Sequence, residues 1–111
     1  MTKEQLRQYR SIKIEASQIE RRLATMRVFD PIAADVTHPL VQYYRELLKE
    51  LVDGQLRIEK AIESLNPIER EVIRLRYIDG VDWTEIAITI HYEWAQTHRV
   101  HASALRKLEK L

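Results

Sequence analysis

The chain has 111 residues, no cysteine, and a formal net charge of only +1 from 18 basic and 17 acidic residues. The absence of cysteine excludes disulfide bonds, thiolate metal sites and a cysteine nucleophile, and the balanced charge gives no electrostatic argument for a nucleic-acid ligand. No apolar run approaches the ~18 residues of a membrane span and the first residues lack the apolar core of a signal peptide, so we expect a cytoplasmic protein.

The N-terminal segment predicts one long helix from residue 2 to about 27. Thr2 and Gln5 can form a capping box, in which each side chain accepts a bond from a backbone N–H that the first turn leaves free. Apolar residues then recur at alternating spacings of three and four, which is a heptad seam. The seam consists of Tyr9, Ile12, Ala16, Ile19, Leu23 and Met26.

The next segment, VFDPIAADVTHP, has two prolines and no sustained period, which predicts a loop or a partly ordered link. A second long helix is predicted from about 39 to 64, with Pro39 in its first turn and Thr37 or His38 as its cap. Gly54 weakens this helix near its middle. Its seam consists of Val41, Tyr44, Leu48, Leu51, Gln55, Ile58, Ile62 and Leu65, widened by Leu40, Leu47 and Val52.

Two helices of similar length joined by a link predict an antiparallel, coiled-coil-like hairpin. An isolated two-helix hairpin buries only part of its apolar side, so a second copy could pair with the rest. We therefore expect a homodimer formed through the N-terminal helices. The alternative is a hairpin that folds back onto the C-terminal helices.

Local start and stop signals divide the C-terminal part into short helices. Asn66 and Glu69 can form a capping box, with proline between them at the first helical position. Gly80 follows the predicted end of the helix that begins after Asn66, at a position where a left-handed C-terminal cap is expected. Asp82 with Glu85 repeats the capping box and starts a helix of about eight residues.

After a turn at residues 91–93, a last helix is predicted from Trp94 to Lys110. Its inward face is expected to consist of Thr97, Val100, His101 or Ala104, Leu105 and Leu108. The fold class is therefore all-α, with a long helical hairpin over 1–65, serving oligomerisation, and a three-helix domain containing a helix-turn-helix over 66–111.

The run LNPIEREVIRLRYIDGVDWTEIAITIHY, followed by RVH and ALRKL, resembles the helix-turn-helix of region 4 of sigma-70-type factors. It is closer still to the ArpU-type late transcriptional regulators of phages and integrated elements in Gram-positive bacteria. The resemblance covers the C-terminal 46 residues and extends to the N-terminal 65 only as a general pattern. It implies a DNA-binding protein of a bacterial cytoplasm.

The resemblance also implies residue roles. Trp83, Ile86 and Ala87 correspond to the motif W-x-x-I-A, and Tyr92 to the tyrosine of the turn. The motif R-[IV]-H of the recognition helix and the following A-L-x-x-L are matched by Arg99, Val100, His101, Ala104, Leu105 and Leu108.

Several positions depart from the resemblance, among them Ala95, Ala102 and Ser103, where relatives often carry larger polar or basic side chains. His91 stands where the turn usually has glycine, at a position that often needs a positive φ. Glu93 stands where a serine-like cap usually opens the recognition helix, although its charge suits a helix N-terminus.

Recognition-helix N-termini face base edges, so the outward residues of the last helix are the predicted readers of DNA. They are Trp94, Ala95, Gln96, His98, Arg99 and Ala102. Gln96 could pair with adenine and Arg99 with guanine, while Trp94 or Ala95 could touch a thymine methyl group. The predicted phosphate contacts are Arg70, Arg74, Arg106 and Lys107. The alternative for each basic residue is a solvated face with pairs within the helix, such as Glu71 with Arg74.

The sequence gives little support for a metal site, a cofactor site or an enzymatic activity. His98 and His101 can share a helix face, but zinc needs three or four ligands, and the resemblance makes His101 a buried structural residue. The carboxylates are scattered among basic partners, and the sequence has no glycine-rich phosphate loop and no serine in a nucleophile context. We expect no enzymatic activity, no bound metal and no cofactor.

The predicted function is a sequence-specific transcriptional regulator that binds double-stranded DNA as a dimer. An alternative is a protein-interaction module that binds RNA polymerase or a sigma factor, since residues 66–111 hold seven basic and seven acidic side chains and phosphate neutralisation supplies much of DNA affinity. A phage small terminase subunit is a further alternative.

Overall fold

The computed structural model describes residues 1–29 and 38–111, and these residues form helices without any strand. The five α-helices are α1 (Lys3–Phe29), α2 (Pro39–Glu63), α3 (Pro67–Ile73), α4 (Trp83–Ile90) and α5 (Trp94–Glu109), and a π-helical turn (Arg74–Ile78) continues α3. The predicted all-α class is confirmed. Most of the predicted link between the long helices, with Thr37, lies outside the described residues.

Local capping sets where the long helices begin. The Thr2 N–H donates to Gln5 Oε1 at 2.8 Å, and the Gln5 N–H donates to Thr2 Oγ1 at 3.3 Å, so the predicted capping box is present. At the start of α2 the Leu40 N–H donates to His38 Nδ1 at 3.2 Å, which confirms His38 as a cap. The first helix runs two residues beyond its predicted end, to Phe29.

The chain divides into two compact units, of which the first contains Met1–Arg10 and Arg57–Leu111 and the second contains Ser11–Leu56. These units are defined by which residues lie close together in space. The predicted division into 1–65 and 66–111 is defined by function, namely oligomerisation and DNA binding, and it stays a prediction. The beginning of α1 and the end of α2 therefore pack with the C-terminal helices, as in the alternative arrangement of the hairpin.

The second unit is built on the two predicted seams. Ala16 and Ile19 of α1 and Val41 of α2 are buried in it. Met26 near the end of α1 lines one cavity together with Tyr44 near the start of α2. Residues three and four apart share one helix face, so this burial agrees with the predicted seams, and the other seam residues of this unit are half-buried. Leu40 and Val52, which were predicted to widen the second seam, are exposed.

The first unit holds the main apolar core, in which α5 packs against α3 and α4. Its fully buried side chains come from every one of its helices: Leu6, Ile62, Val72, Ile73, Ile86, Thr97 and Leu108. Leu6 is absent from the predicted seam, although it stands three residues before Tyr9. Its burial extends the seam by one turn to a place where the C-terminal helices supply the apolar surroundings.

The π-helical turn was not predicted. The Asp79 N–H donates to the Arg74 carbonyl at 3.0 Å, five residues back instead of four. Gly80 follows with a φ of +71°, which confirms the predicted left-handed cap. The wider turn brings the Tyr77 side chain into the core, where it is 6% exposed.

Candidate nucleic-acid interface

The first helix of the helix-turn-helix, α4, has caps at both ends. The Glu85 N–H donates to Asp82 Oδ1 at 2.9 Å, which is one half of the predicted capping box. The helix ends at His91, whose φ of 60° and ψ of 37° are left-handed. The Tyr92 N–H then donates back to the Ala87 carbonyl at 3.1 Å and closes the turn. The predicted positive φ at His91 is confirmed.

The second helix, α5, begins with Glu93 as its cap residue. The Glu93 N–H donates to Gln96 Oε1 at 3.3 Å, and Thr97 Oγ1 donates to the Glu93 carbonyl at 2.9 Å. A bidentate contact to adenine uses both the oxygen and the nitrogen of a glutamine amide. To bind adenine in this way, Gln96 would therefore have to accept a bond from the base with the same Oε1 atom that caps the helix.

Five of the six predicted base-reading residues lie exposed on one side of α5. They are Trp94, Ala95, Gln96, Arg99 and Ala102. Trp94 is the most prominent apolar residue of this side, with 60% of its surface exposed. Of the predicted inward residues, Thr97, His101, Ala104 and Leu108 are buried, whereas Val100 and Leu105 are half-buried. Arg99 is the one cation among the five outward residues, and the exposed Arg106 stands seven residues further along the same helix.

His98 does not face outward as predicted. Its ring lies 4.4 Å from the ring of Trp83 and 3.9 Å from that of Trp94, measured between centroids. Its Nε2 atom is buried and has no hydrogen-bond partner among the described residues. Helical periodicity places His98 at the border of the outward face, and the two indole rings hold it there as a packing residue.

One of the predicted phosphate contacts, Lys107, is bound to a buried carboxylate of the protein. Glu69, at 2% exposure, accepts a bond from Lys107 Nζ at 2.8 Å and one from Ser103 Oγ at 3.0 Å. Burial raises the pKa of the Glu69 carboxyl, but the bonds from Lys107, the Asn66 N–H and Ser103 outweigh it and hold that pKa below its usual value. Lys107 therefore joins α5 to α3, whereas Arg106 beside it is exposed.

The two basic candidates near α3 are also held within the protein. Arg74 Nη2 lies 3.9 Å from Glu59 Oε2, so its partner is a residue of α2 and not the predicted Glu71. Arg70 Nη1 donates to the Glu63 carbonyl at 3.5 Å, a long and exposed bond. Both arginines are half-buried, and exposed or half-exposed ion pairs of this kind contribute little stability.

A tyrosine–histidine pair fixes α5 on the π-helical turn. Tyr77 Oη and His101 Nε2 are 2.7 Å apart and buried. Burial lowers the pKa of His101 to about 4, and the nearby side chains of Lys3, His98 and Arg76 act in the same direction. Burial likewise raises the pKa of Tyr77. The histidine is thus neutral at pH 7, and the predicted buried, hydrogen-bonded role of His101 is confirmed.

Among residues 1–29 and 38–111, no group of three or more histidine, cysteine or carboxylate side chains is arranged to hold a metal ion. No helix in this part of the chain is long and apolar enough to cross a membrane.

Comparison with known families agrees with this geometry. The model of the family described as Sigma-70, region 4 matches residues 55–91. The match spans the end of α2, α3, the π-helical turn and α4, and it stops before α5 begins. No curated protein and no solved structure gives a significant match to the chain. The segment from residue 55 to residue 91 is therefore similar to sigma-70 region 4, a DNA-binding helix-turn-helix domain.

Proposed function

We propose that this protein is a sequence-specific transcriptional regulator of the phage or mobile-element type, acting in a bacterial cytoplasm. It lays the N-terminal half of α5 in the major groove of double-stranded DNA. The observation that carries the proposal is the exposed side of α5, where Arg99, Gln96 and Ala95 lie beside one another on a helix fixed by the Tyr77–His101 bond. Arginine in such a place pairs with the O6 and N7 atoms of guanine.

Binding to DNA fragments from the protein's own locus tests this proposal. Arg99→Ala should weaken binding to a specific fragment by about 1–3 kcal/mol, which is roughly a fivefold to 150-fold change, because one bidentate base contact is lost. Binding to unrelated DNA should change far less. Arg106→Ala is the matched control, because it removes one exposed arginine from the same helix and should weaken binding to every sequence equally. Equal losses for Arg99→Ala on both kinds of DNA would contradict base reading.

The proposed regulator is a homodimer formed through the N-terminal helices. Four large apolar side chains of α2 are exposed: Leu40 at 45%, Tyr43 at 59%, Val52 at 38% and Leu56 at 48%. Solution mass tests this point. Val52→Glu with Leu56→Glu should shift a dimer to a monomer, whereas Ile88→Glu, which alters an even more exposed apolar residue of α4, should not. A wild-type mass of one copy at micromolar concentration would contradict dimerisation.

The equal numbers of basic and acidic residues in 66–111 favour a second candidate function. In it, the protein binds RNA polymerase or a sigma factor, and the helix-turn-helix is a scaffold. Co-purification of polymerase without any salt-dependent DNA binding would support this candidate over the first. A ring of eight or more copies in solution would instead indicate a small terminase subunit.

A further inference from the structure

A basic cavity of about 300 Å³ lies in the first compact unit, away from the outward side of α5. Four of its lining side chains are cations, namely Lys3, Arg7 and Arg10 of α1 and Arg76 of the π-helical turn. Its remaining lining residues include Trp83 and Tyr77, and none of the lining residues is acidic. Spacings of four and three residues place the three cations of α1 on one helix face.

Two of the cations, Arg76 and Arg10, contact neighbouring groups other than carboxylates. Arg76 Nη1 donates to the Val81 carbonyl at 3.2 Å, and its guanidinium lies 4.9 Å from the ring centre of Trp83. The Arg10 guanidinium lies against Gly80, so closely that a Cβ atom at Gly80 would come within 2.6 Å of Arg10 Nη1. This contact places the Arg10 guanidinium beside Gly80, at the cavity that both residues line.

The positive charge of the cavity is largely uncompensated. Arg7 has a carboxylate partner, Glu4 at 3.0 Å, in an exposed pair that water screens. Lys3, Arg10 and Arg76 form no ion pair with any of the described residues. The charges of Lys3 and Arg76 also reach the buried ring of His101, where they add to the burial that lowers its pKa.

We propose that this cavity binds a phosphate-bearing anion with several negative charges. A planar guanidinium offers paired N–H donors that match phosphate oxygens, and Lys3 adds a compact ammonium. Three arginines and one lysine provide four positive charges, more than are needed to balance the single charge of a carboxylate. A volume of about 300 Å³ is at the small end of the range for ligand pockets and fits a chain of two or three phosphates. The phosphates come from a free polyphosphorylated compound or from the DNA backbone.

Calorimetric titration of the whole protein with inorganic tripolyphosphate at low salt tests the site without any DNA. We expect saturable binding at one site per chain. Arg10→Gln and Arg76→Gln should each weaken it by about tenfold or more, since each removes a charge-assisted contact. Arg21→Gln is the matched control, because it removes the same charge from an exposed position of the same helix. Circular dichroism on each variant checks that the helices remain.

Two outcomes would overturn the proposal. One is the absence of binding by the wild-type protein up to millimolar tripolyphosphate. The other is an equal loss of affinity in Arg10→Gln and Arg21→Gln, which would show attraction to net charge alone. Arg99→Ala should leave tripolyphosphate binding unchanged, so failure of this proposal and failure of base reading by α5 are separate results.

DNA binding by Arg10→Gln then identifies the source of the phosphate. If DNA supplies it, the variant should bind all sequences more weakly, with a smaller slope of log K against log salt, and duplex DNA should displace tripolyphosphate. If a free compound supplies it, the variant should bind DNA as the wild type does. Both results support a phosphate site, provided that tripolyphosphate binds.

Discussion

The outward side of α5 and the basic cavity differ in what they offer a nucleic acid: the first has the shape of a recognition helix, and the second has most of the positive charge. The side of α5 has the geometry of a recognition helix, but among its predicted base-reading residues Arg99 is the one cation, beside Ala95, Ala102 and Trp94. The cavity has four cations, three of which come from α1, an element outside the helix-turn-helix. Near-neutral composition in a helix-turn-helix therefore does not mean that its surroundings are neutral.

The largest expected effect comes from the core that supports both regions. Ile86→Ala should lower the free energy of unfolding by about 2–5 kcal/mol, because it leaves a void at a fully buried position of α4. Ile88→Ala, two residues away and 68% exposed, should change it by less than about 0.5 kcal/mol. Urea unfolding measures both. Equal losses would contradict the assignment of the inward face of α4.

The second prediction concerns His101, which lines the cavity and belongs to α5. Its pKa is about 4 in the folded protein and 6.5 as the ordinary value, so the unfolded chain takes up the proton first as the pH falls. Stability is fully present above pH 6.5 and decreases as the pH falls towards 4, by on the order of 3 kcal/mol in total.

Urea unfolding between pH 7 and pH 5 measures this loss while Glu69 is still ionised. His101→Gln should be less stable at pH 7, because the bond to Tyr77 is altered, and its stability should depend less on pH. An unchanged pH dependence in the variant would show that another group causes it.

The third prediction separates the cavity from the fold. Gly80→Ala should cost about 1 kcal/mol of stability, because alanine is strained at a φ of +71°. It should also displace the flexible end of Arg10 and weaken tripolyphosphate binding. Gly80→Asn is the control for strain, since asparagine tolerates this φ better but still has a Cβ that meets Arg10. If only the stability changes in both variants, Arg10 does not contribute to the site.

The smallest effect is expected at the turn before α5. His91→Gly should raise the free energy of unfolding by about 0.5–1 kcal/mol, because glycine has no penalty for the left-handed backbone found there. His91→Ala removes the same side chain without relieving the backbone and should give no gain. Thermal unfolding compares the two. A gain with alanine as well would place the strain in the histidine side chain.

The outward side of α5 can be predicted from the sequence to a greater extent than the basic cavity can. The outward residues of α5 follow from periodicity, because helix position alone decides which side chains share a face. His98 is the exception, since the rings of Trp83 and Trp94 draw it inward, and Trp83 is on another helix. Nothing in the sequence predicts the cavity, because Lys3, Arg10 and Arg76 meet only when α1 packs against the π-helical turn.

Interactions between residues three or four positions apart are encoded in the sequence itself. The capping boxes at Thr2 and Asn66, the positive φ of His91 and Gly80, and the heptad seams are all of this kind, because one helical turn decides them. The tertiary structure alone decided the burial of Leu6, the bond between Tyr77 and His101, and the link from Lys107 to Glu69. Those partners are separated along the chain, and only the packing of whole helices selects which of the many charged and apolar side chains meet.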